Sequence, residues 1–503
     1  ADVMLNINKT FGDDWSLTAN VGASLNNIKT DELSYRGPIQ ENGLPNIFNV
    51  FDLDDTKKRA EKVGWHDQTQ SVFASVEVGW KQMLYLTATG RNDWASQIAG
   101  SPSKSFFYPS VGLSWVPSST WDLGNAFSYL KLRGSIASVG LPFPRFLTTP
   151  TYEYRATGKI WKDKTHYPIG DLKPERTITY EVGIDARLWK NISLSASWYS
   201  ADTKNQTFDP ALPPSSSYTT IYLQTGHVRN TGVELSLGYS NQWRDFGWSS
   251  NFTFSWNKNE IVDLASGALN PVTGQPLNLS ELDIKGLGKA KYILKQGGTL
   301  GDLYTTSDLK FNDNGYVEVD KAGNLLLTDE GEQIYLGSVF PSENLAWRND
   351  FRYKGINLGL LFTGRIGGIC YSATQANMDM YGVSEASAAA RDAGGVLVNG
   401  RARVDAETWY TTVGAQSGVP QYYTYDATNV RLQELSVGYT IPRKWLRVCD
   451  ITVSLVGRNL WMMYCKAPFD PESVASTENF YTGIDYFMMP STRNIGFNVN
   501  IKF

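Results

Sequence analysis

The segment that decides the fold is Pro490-Ser-Thr-Arg-Asn-Ile-Gly-Phe-Asn-Val-Asn-Ile-Lys-Phe503, in which apolar and polar side chains alternate without interruption. Because successive side chains of a strand point to opposite faces, we predict a strand with one apolar and one polar face. A strand with a lipid-facing side that ends on an aromatic residue is typical of the closing strand of an outer-membrane β-barrel. Phe503 is then the expected membrane-assembly signal. The last strand of a soluble β-sandwich would show the same alternation.

The same alternation recurs along the chain, in 72–80, 192–198, 251–257, 356–363 and 451–455. The polar face of these segments is formed largely by Ser, Thr, Asn and Gly. Such a face suits a water-filled interior better than a second packed sheet. The pattern therefore favours an all-β, antiparallel transmembrane barrel over a sandwich.

Composition excludes several other classes. The 503 residues carry a net charge of −4 and only 19% charged side chains, so no basic field indicates nucleic acid as a partner. Aromatic residues reach 13%, the mean hydropathy is −0.31, and no apolar run approaches the ~18 residues of a membrane helix. A barrel strand presents only every second residue to lipid, so its hydropathy is diluted. A large secreted β protein would have a similar composition.

The residue types of catalytic and metal sites are not arranged as such sites require. Cys370, Cys449 and Cys465 form no CxxC pair and the three histidines stand alone, so we expect no metal, no cofactor and no disulfide framework. The adjacent carboxylates Asp54-Asp55 are interpreted as solvated loop charge rather than a glycosidase pair. Phe311-Asn-Asp-Asn-Gly-Tyr316 is interpreted as a turn rather than a calcium loop. The chain is expected not to be an enzyme.

Connections between the alternating segments are short and long in turn, as in outer-membrane barrels with short periplasmic turns and long external loops. The long loops are predicted at 27–66, 140–175, 204–226, 262–342, 368–427 and 464–491, with the fourth containing minor structure. About 15 strands are expected, near 2–11, 14–26, 67–80, 82–92, 106–117, 127–139, 176–189, 191–203, 227–240, 247–261, 343–354, 356–367, 428–441, 450–463 and 492–503. The apolar face changes parity within 428–441, which predicts a bulge near Gln433-Glu434.

Five segments of the chain form recognisable motifs: Phe107–Trp115, Asp171–Asp185, Arg229–Leu235, Asn429–Pro442 and Val456–Trp461. The first three resemble motifs of TonB-dependent outer-membrane transporters. The last two narrow this resemblance to the SusC-like (RagA-like) branch found in Bacteroidetes. The resemblance covers essentially the whole chain. It implies a 22-stranded barrel with a plug domain and a TonB-binding segment, of which this sequence supplies about the last 15 strands. The plug is therefore expected upstream of this sequence.

The resemblance also implies a function and partners. It implies TonB-dependent import of a large nutrient, usually an oligosaccharide, across the bacterial outer membrane, with a SusD-like surface lipoprotein as a lid. Dimers of such transporter–lipoprotein pairs are expected. Some relatives take oligopeptides, and a peptide importer is the alternative within transport. A passive porin and, from a different class, a secreted carbohydrate-binding β protein are further alternatives.

Cargo selectivity is expected in the loops, where aromatic faces pack against sugar C–H groups and carboxylates accept hydrogen bonds from hydroxyls. Aromatic residues also form the interfacial girdles of any such barrel and hold loops together, so each position has a structural alternative. The candidate substrate-binding residues are Trp161, Tyr167, Trp409, Tyr422, Tyr423, Asp426, Asp470 and Tyr481.

Overall fold

A computed structural model describes residues 1–43, 49–148, 152–155, 160–163, 166–167, 169–170, 172–208, 220–264, 275, 279–328, 333–400, 402–476 and 481–502. Its main element is one antiparallel sheet of 15 strands, in which each strand pairs with its neighbours in the sequence. The strands are β1 Asp2–Phe11, β2 Trp15–Arg36, β3 Arg59–Trp80, β4 Leu84–Ala95, β5 Phe106–Trp115, β6 Phe127–Leu141, β7 Glu175–Leu188, β8 Ile192–Phe208, β9 Leu223–Trp243, β10 Phe246–Asp263, β11 Glu343–Tyr353, β12 Ile356–Ile366, β13 Asn429–Ile441, β14 Asp450–Cys465 and β15 Asn494–Lys502. The number of strands and their antiparallel order confirm the prediction from the sequence.

The alternating apolar residues lie on the outer, unpacked face of this sheet. Side chains such as Phe497, Leu455 and Val182 are 81%, 60% and 56% exposed. A soluble sandwich would bury these residues against a second sheet. Exposure of one apolar face along the whole sheet is instead what a lipid-facing surface requires.

Short and long connections alternate along the sheet, as expected. One short connection is the two-residue hairpin turn Lys354-Gly355, in which both residues have positive φ (47° and 91°). Two residues with positive φ form the type I′ turn that matches the twist of paired strands. The long connections all lie at the opposite end of the sheet, which we call the loop end.

Four strands extend well beyond their predicted ends at the loop end. β8 and β9, predicted near 191–203 and 227–240, reach Phe208 and begin at Leu223, so both continue into the predicted loop 204–226. β2 and β3 were expected near 14–26 and 67–80, but they stay paired as far as Arg36 opposite Arg59. The added part has polar residues on both faces, for example Glu32, Lys62 and Glu61. The alternation of apolar and polar side chains therefore ends before the two strands do, and backbone pairing continues beyond it. The predicted loop 27–66 is reduced to 37–58.

The expected bulge in β13 is confirmed. Leu361 pairs with Glu434 and Phe362 with Leu432, so that Gln433 is the extra residue on the bulged strand. The bulge restores the parity of the apolar face, as bulges do when they redirect side chains.

Three of the long connections fold together at the loop end, and we call their described parts the loop domain: 264–342, 367–428 and 466–493. The first contains a four-stranded sheet, Glu281–Leu287, Ala290–Lys295, Asp302–Thr305 and Ile334–Ser338. The second and third share a sheet in which Ile369–Ser372 lies between Thr424–Asp426 and Ile484–Asp485. The second also carries the hairpin Val396–Val398 with Ala402–Val404. Three helices belong to this second connection: α2 Ala373–Met380, α3 Glu385–Asp392 and α4 Ala406–Val413. Two short helices lie outside the loop domain, α1 Pro117–Thr120 between β5 and β6 and α5 Arg443–Leu446 between β13 and β14.

The loop domain has a hydrophobic core of its own. Tyr292 and Leu303 from the first connection, Tyr371 and Val413 from the second and Ile484 from the third are all essentially inaccessible to solvent and pack in one cluster. Three chain segments far apart in sequence therefore stabilise one another by burial, which is the dominant favourable term in folding. The expected "minor structure" in 262–342 is a folded part of this domain.

Smaller structures occupy other loops. The strands Tyr152–Arg155 and Ile160–Asp163 form a hairpin, and His166–Tyr167 pairs in parallel with Thr220–Ile221. Phe143, Leu147 and Leu172 pack with Ile98 in a separate buried cluster. No helix among the described residues is long and apolar enough to cross a membrane.

Candidate functional site

The structure places the predicted site residues in three different loops. Trp161 and Tyr167 lie in the connection between β6 and β7, with Tyr167 half-buried in its two-residue strand. Trp161 belongs to the strand Ile160–Asp163, but its side chain is outside the described part of the chain. Phe503 also lies outside the described residues. The remaining candidates, Trp409, Tyr422, Tyr423, Asp426, Asp470 and Tyr481, all belong to the loop domain.

The structure brings three of the aromatic candidates together. Trp409 in α4 meets Tyr422 edge to face, with ring centroids 5.7 Å apart and planes at 89°. Trp409 and Tyr423 are only 9% and 3% exposed and belong to the loop-domain core, whereas Tyr422 is 41% exposed. Tyr481 packs at the edge of the same core. In this structure Trp409 and Tyr423 stabilise the loop domain, and Tyr422 remains exposed to solvent.

The buried Tyr423 hydroxyl is satisfied inside the domain. It donates a hydrogen bond to Asp379 Oδ2 (3.0 Å), and Gln375 Nε2 donates to Asp379 Oδ1 (2.8 Å). Burial, together with the Asp379 carboxyl, raises the pKa of Tyr423 well above its usual value. The hydroxyl therefore stays protonated and acts as a structural donor between α2 and the segment before Thr424–Asp426.

Both acidic candidates are already paired. The Asp426 carboxylate accepts a hydrogen bond from the Thr428 amide (2.9 Å), and Lys466 Nζ lies 3.3 Å from it. The hydrogen bonds from Thr428 lower the pKa of Asp426. Burial opposes ionisation of Asp470, but hydrogen bonds led by those from Arg431 outweigh it and lower the pKa of Asp470. Both groups are therefore carboxylates at neutral pH.

Arg431, which was not predicted, is the centre of this polar cluster. Its guanidinium donates to Asp470 through Nη2–Oδ1 (2.8 Å) and Nη1–Oδ2 (3.0 Å), and Glu472 Oε1 lies 3.1 Å from Nη2. It also donates to Asn429 Oδ1. The side chains of Arg431 and Asp470 are only 5% and 9% exposed. This bidentate pair fastens the 466–493 connection to barrel strand β13. A lone arginine in a polar-faced strand carries no sequence signal for this role.

A small cavity lies beside this cluster, where the loop ends of the strands meet the loop domain. It offers about 50 Å³ to the centres of water-sized molecules. Its lining includes Arg365 at the end of β12, Asn429 at the start of β13, and Pro471 and Glu472 from the 466–493 connection. Arg365 and Asn429 are register partners and so lie on the same face of the sheet. Sequence reasoning missed Arg365 as well.

The polar face of the sheet carries further charged networks below the loop domain. Arg133 in β6 bonds to Glu181 and lies 3.6 Å from Asp185 in β7. Glu434 in β13 pairs with Arg348 (3.4 Å) and Arg458 (3.0 Å). The Arg133 and Arg458 pairs join neighbouring strands, and the Arg348–Glu434 pair spans β12; together they form a hydrophilic wall, as a water-filled interior requires.

The described residues contain no cluster of three or more His, Cys, Asp or Glu that could hold a metal ion. The segment interpreted as a turn is one: the Gly315 amide donates to the Asn312 carbonyl (2.8 Å), and Phe311 bridges to Val317.

Comparison with known proteins gives a consistent result. Residues 2–460 match the family model described as "TonB dependent receptor-like, beta-barrel". TonB-dependent receptor P3 of Formosa agariphila is 25% identical over 510 residues, which covers 96% of this chain and 49% of that protein. TonB-dependent receptor P26 of the same organism is 22% identical over 545 residues, covering 98% of this chain and 52% of that protein. The chain spans about half the length of the curated relatives it matches.

A solved structure also has the same fold. The chain superposes on one chain of the RagAB peptide transporter with a TM-score of 0.75 at 19% identity, covering 100% of this chain and 55% of that one. At this identity the likeness concerns the fold, and all 15 strands of the sheet fall within it.

Proposed function

The chain belongs to the TonB dependent receptor-like β-barrel family, and from this premise we propose that it takes part in TonB-dependent import of a large nutrient across the outer membrane. Membership places the chain in the outer membrane as part of a multi-stranded barrel and confirms the resemblance seen in its motifs. It also removes the alternative of a secreted carbohydrate-binding protein. The family is one of receptors rather than enzymes.

The observation that carries the proposal is the combination of a lipid-facing sheet with a folded domain at one of its ends. The sheet exposes an apolar face and encloses a charged, hydrophilic one, whereas the loop domain buries a core drawn from three connections. Loops longer than about 15 residues with their own structure usually carry function. A cargo entering the barrel from the loop end meets this domain first.

We propose an oligosaccharide as the cargo, with an oligopeptide as the second candidate. Tyr422 and Tyr481 keep partly accessible rings at the loop end, and flat aromatic faces suit sugar C–H surfaces. The predicted contribution of Trp161, Tyr167, Asp426 and Asp470 to cargo binding stays part of this proposal. The peptide candidate is supported by the likeness in fold to the RagAB peptide transporter.

A SusD-like surface lipoprotein is the proposed partner, together with TonB acting through a part of the protein upstream of this chain. The lipoprotein would cover the loop end and trap cargo above the barrel. The likeness in fold to the RagAB peptide transporter supports such a pairing. We propose that two such pairs associate, as the motifs imply.

Purification of the full-length protein from outer membranes, followed by mass spectrometry of every co-purifying chain and small molecule, tests the proposal. A surface lipoprotein with bound glycan or peptide is the expected result and identifies the cargo class. Uptake of that cargo should also stop in cells that lack TonB. Uptake that continues without TonB would show a passive pore, and a purified protein with neither partner nor cargo would contradict the proposed function.

A further inference from the structure

Two arginines at the loop end of the sheet have opposite surroundings. Arg431 is saturated by Asp470, Glu472 and Asn429, as described above. Arg365 lies across from Asn429 on the neighbouring strand and lines the cavity. Within the part of the chain that the structure describes, no residue makes a hydrogen bond or an ion pair with the Arg365 guanidinium. One rim of the cavity therefore carries a half-buried cation with all its donors available.

The cavity has room for one small functional group. A space of about 50 Å³ for the centres of water-sized molecules exceeds the roughly 10–15 Å³ that one water needs. Its walls are held in place: Asn429 is 1% exposed, and Glu472 is tied to Arg431 at 3.1 Å. Gly483 lines it with φ +76°, where an added Cβ would come within 2.6 Å of Val339. A bound group would therefore enter a preformed site and would not have to order a loop.

The unpaired guanidinium of Arg365 favours an anion at this rim of the cavity. Glu472 is the acidic side chain among the lining residues, and it shares the single positive charge of Arg431 with Asp470. Glu472 is held by Arg431, and no carboxylate of the described residues lies within ion-pair distance of Arg365. A guanidinium matches a carboxylate with two parallel N–H···O bonds, and such charge-assisted pairs are stronger in a partly buried site than in water.

We propose that this cavity binds a carboxylate group of the cargo, with Arg365 as the residue that recognises it. The inference rests on the proposed function, because it assumes that cargo reaches the barrel from the loop end. The carboxylate could belong to a peptide, at its C-terminus or an acidic side chain, or to a uronic acid in an oligosaccharide. In either case Arg365 selects acidic cargo over neutral cargo of the same size.

The experiment uses the full-length protein purified from outer membranes with its co-purifying chains. Four probes are offered at equilibrium: a casein digest, the same digest with its carboxyl groups amidated, oligogalacturonate from pectin, and its methyl ester. Retained material is quantified by mass spectrometry for the wild-type protein and for Arg365→Gln, Arg365→Lys and Arg352→Gln. Arg352 lies at the other end of the same β11–β12 hairpin, beside the turn, and is the matched control.

We expect the wild type and Arg352→Gln to retain one acidic probe about tenfold or more over its blocked form, which corresponds to hydrogen bonds with a charged group. Arg365→Gln should bind the acidic and the blocked form equally, at the level of the blocked form in wild type. Arg365→Lys should keep part of the preference, because it keeps the charge without the fork. The acidic probe that shows the preference, casein digest or oligogalacturonate, distinguishes a peptide from a sugar acid.

Two results would refute the carboxylate site at Arg365 without contradicting the proposed import function. One is equal retention of acidic and blocked probes by the wild type, and the other is an unchanged preference in Arg365→Gln. If none of the four probes is retained by any variant while another cargo co-purifies, the carboxylate site is refuted and transport remains. Absence of any cargo and of TonB-dependent uptake would refute the proposed function and the site together.

Discussion

Replacing Arg431 by Met should release the 466–493 connection from the barrel wall. Arg431 makes a bidentate pair with Asp470 at 2.8 and 3.0 Å and a third contact with Glu472 at 3.1 Å. Its side chain and that of Asp470 are 5% and 9% exposed. Removal of one partner of a buried ion pair costs about 3–5 kcal/mol, because the remaining charge is left uncompensated. Here the substitution leaves two carboxylates without their cation.

The effect is local, so hydrogen exchange of peptides from 466–476 is the appropriate measurement. Two amides report directly on the connection: Ser473 donates to the Asp470 carbonyl (3.0 Å) and Ala475 to the Ile484 carbonyl (2.8 Å). Where the segment recloses faster than its amides exchange, 3–5 kcal/mol corresponds to an acceleration of about two to three and a half orders of magnitude. Asp470→Asn keeps the contact between Arg431 and Glu472 and should cost less, about 1.5–3 kcal/mol.

Arg458→Met is the matched control on the next strand. Arg458 also pairs with a carboxylate, Glu434, at 3.0 Å, but its side chain is 65% exposed. Exposed pairs contribute about 0–1 kcal/mol, so exchange in 466–476 should change less than about fivefold. If Arg431→Met exchanges as slowly in this segment as Arg458→Met, the buried pair does not hold the connection, and the reasoning is refuted.

Three further predictions concern the loop domain of the full-length protein. Trp409→Ala should destabilise it by about 3–5 kcal/mol, because it empties the core beside Tyr422, and trypsin should then cleave 367–428 at least tenfold faster than in wild type. Tyr423→Phe should cost about 1.5–3 kcal/mol through loss of the bond to Asp379, with a smaller increase in cleavage in the same assay; equal cleavage in all three proteins would contradict both. The pKa of Asp470 is lowered from its ordinary value of 3.8 in the folded protein. The stabilisation that its carboxylate provides is therefore complete above that ordinary value and is lost as the pH falls through the lowered pKa. Exchange in 466–476, corrected for its intrinsic pH dependence, should therefore accelerate below about pH 4; no change down to pH 2 would count against the assignment.

The sheet could be predicted from the sequence because lipid and water impose a period of two on every spanning strand. That constraint acts on each residue of β15 and also revealed the bulge at Gln433, where the parity changes. It ends outside the membrane, which is why the outer parts of β2 and β3 were missed. There the strands stay paired through the backbone, and side chains on both faces are exposed to solvent.

The candidate site was less accessible to sequence reasoning because its burial depends on pairings between distant segments. Trp409 and Tyr423 are aromatic residues in a polar loop, which suits a ligand surface until the loop is seen to have a core. Arg431 and Arg365 have the same residue type and the same polar-facing position in neighbouring strands. Their difference comes from the path of the 466–493 connection, which reaches one guanidinium and leaves the other free.

The parallel pairing of Ile369–Ser372 with Ile484–Asp485 has a consequence for the order of assembly. Ser372 donates to Asp485 (2.6 Å) across 113 residues of sequence, and two barrel strands, β13 and β14, lie between them. Contacts between residues so far apart in sequence form slowly, because closing the long intervening loop costs conformational entropy. The neighbouring hairpins of the sheet are local and form first. The loop domain should therefore acquire its protease resistance only after β12 to β15 are in register. The time at which this resistance appears would then report when the barrel has inserted.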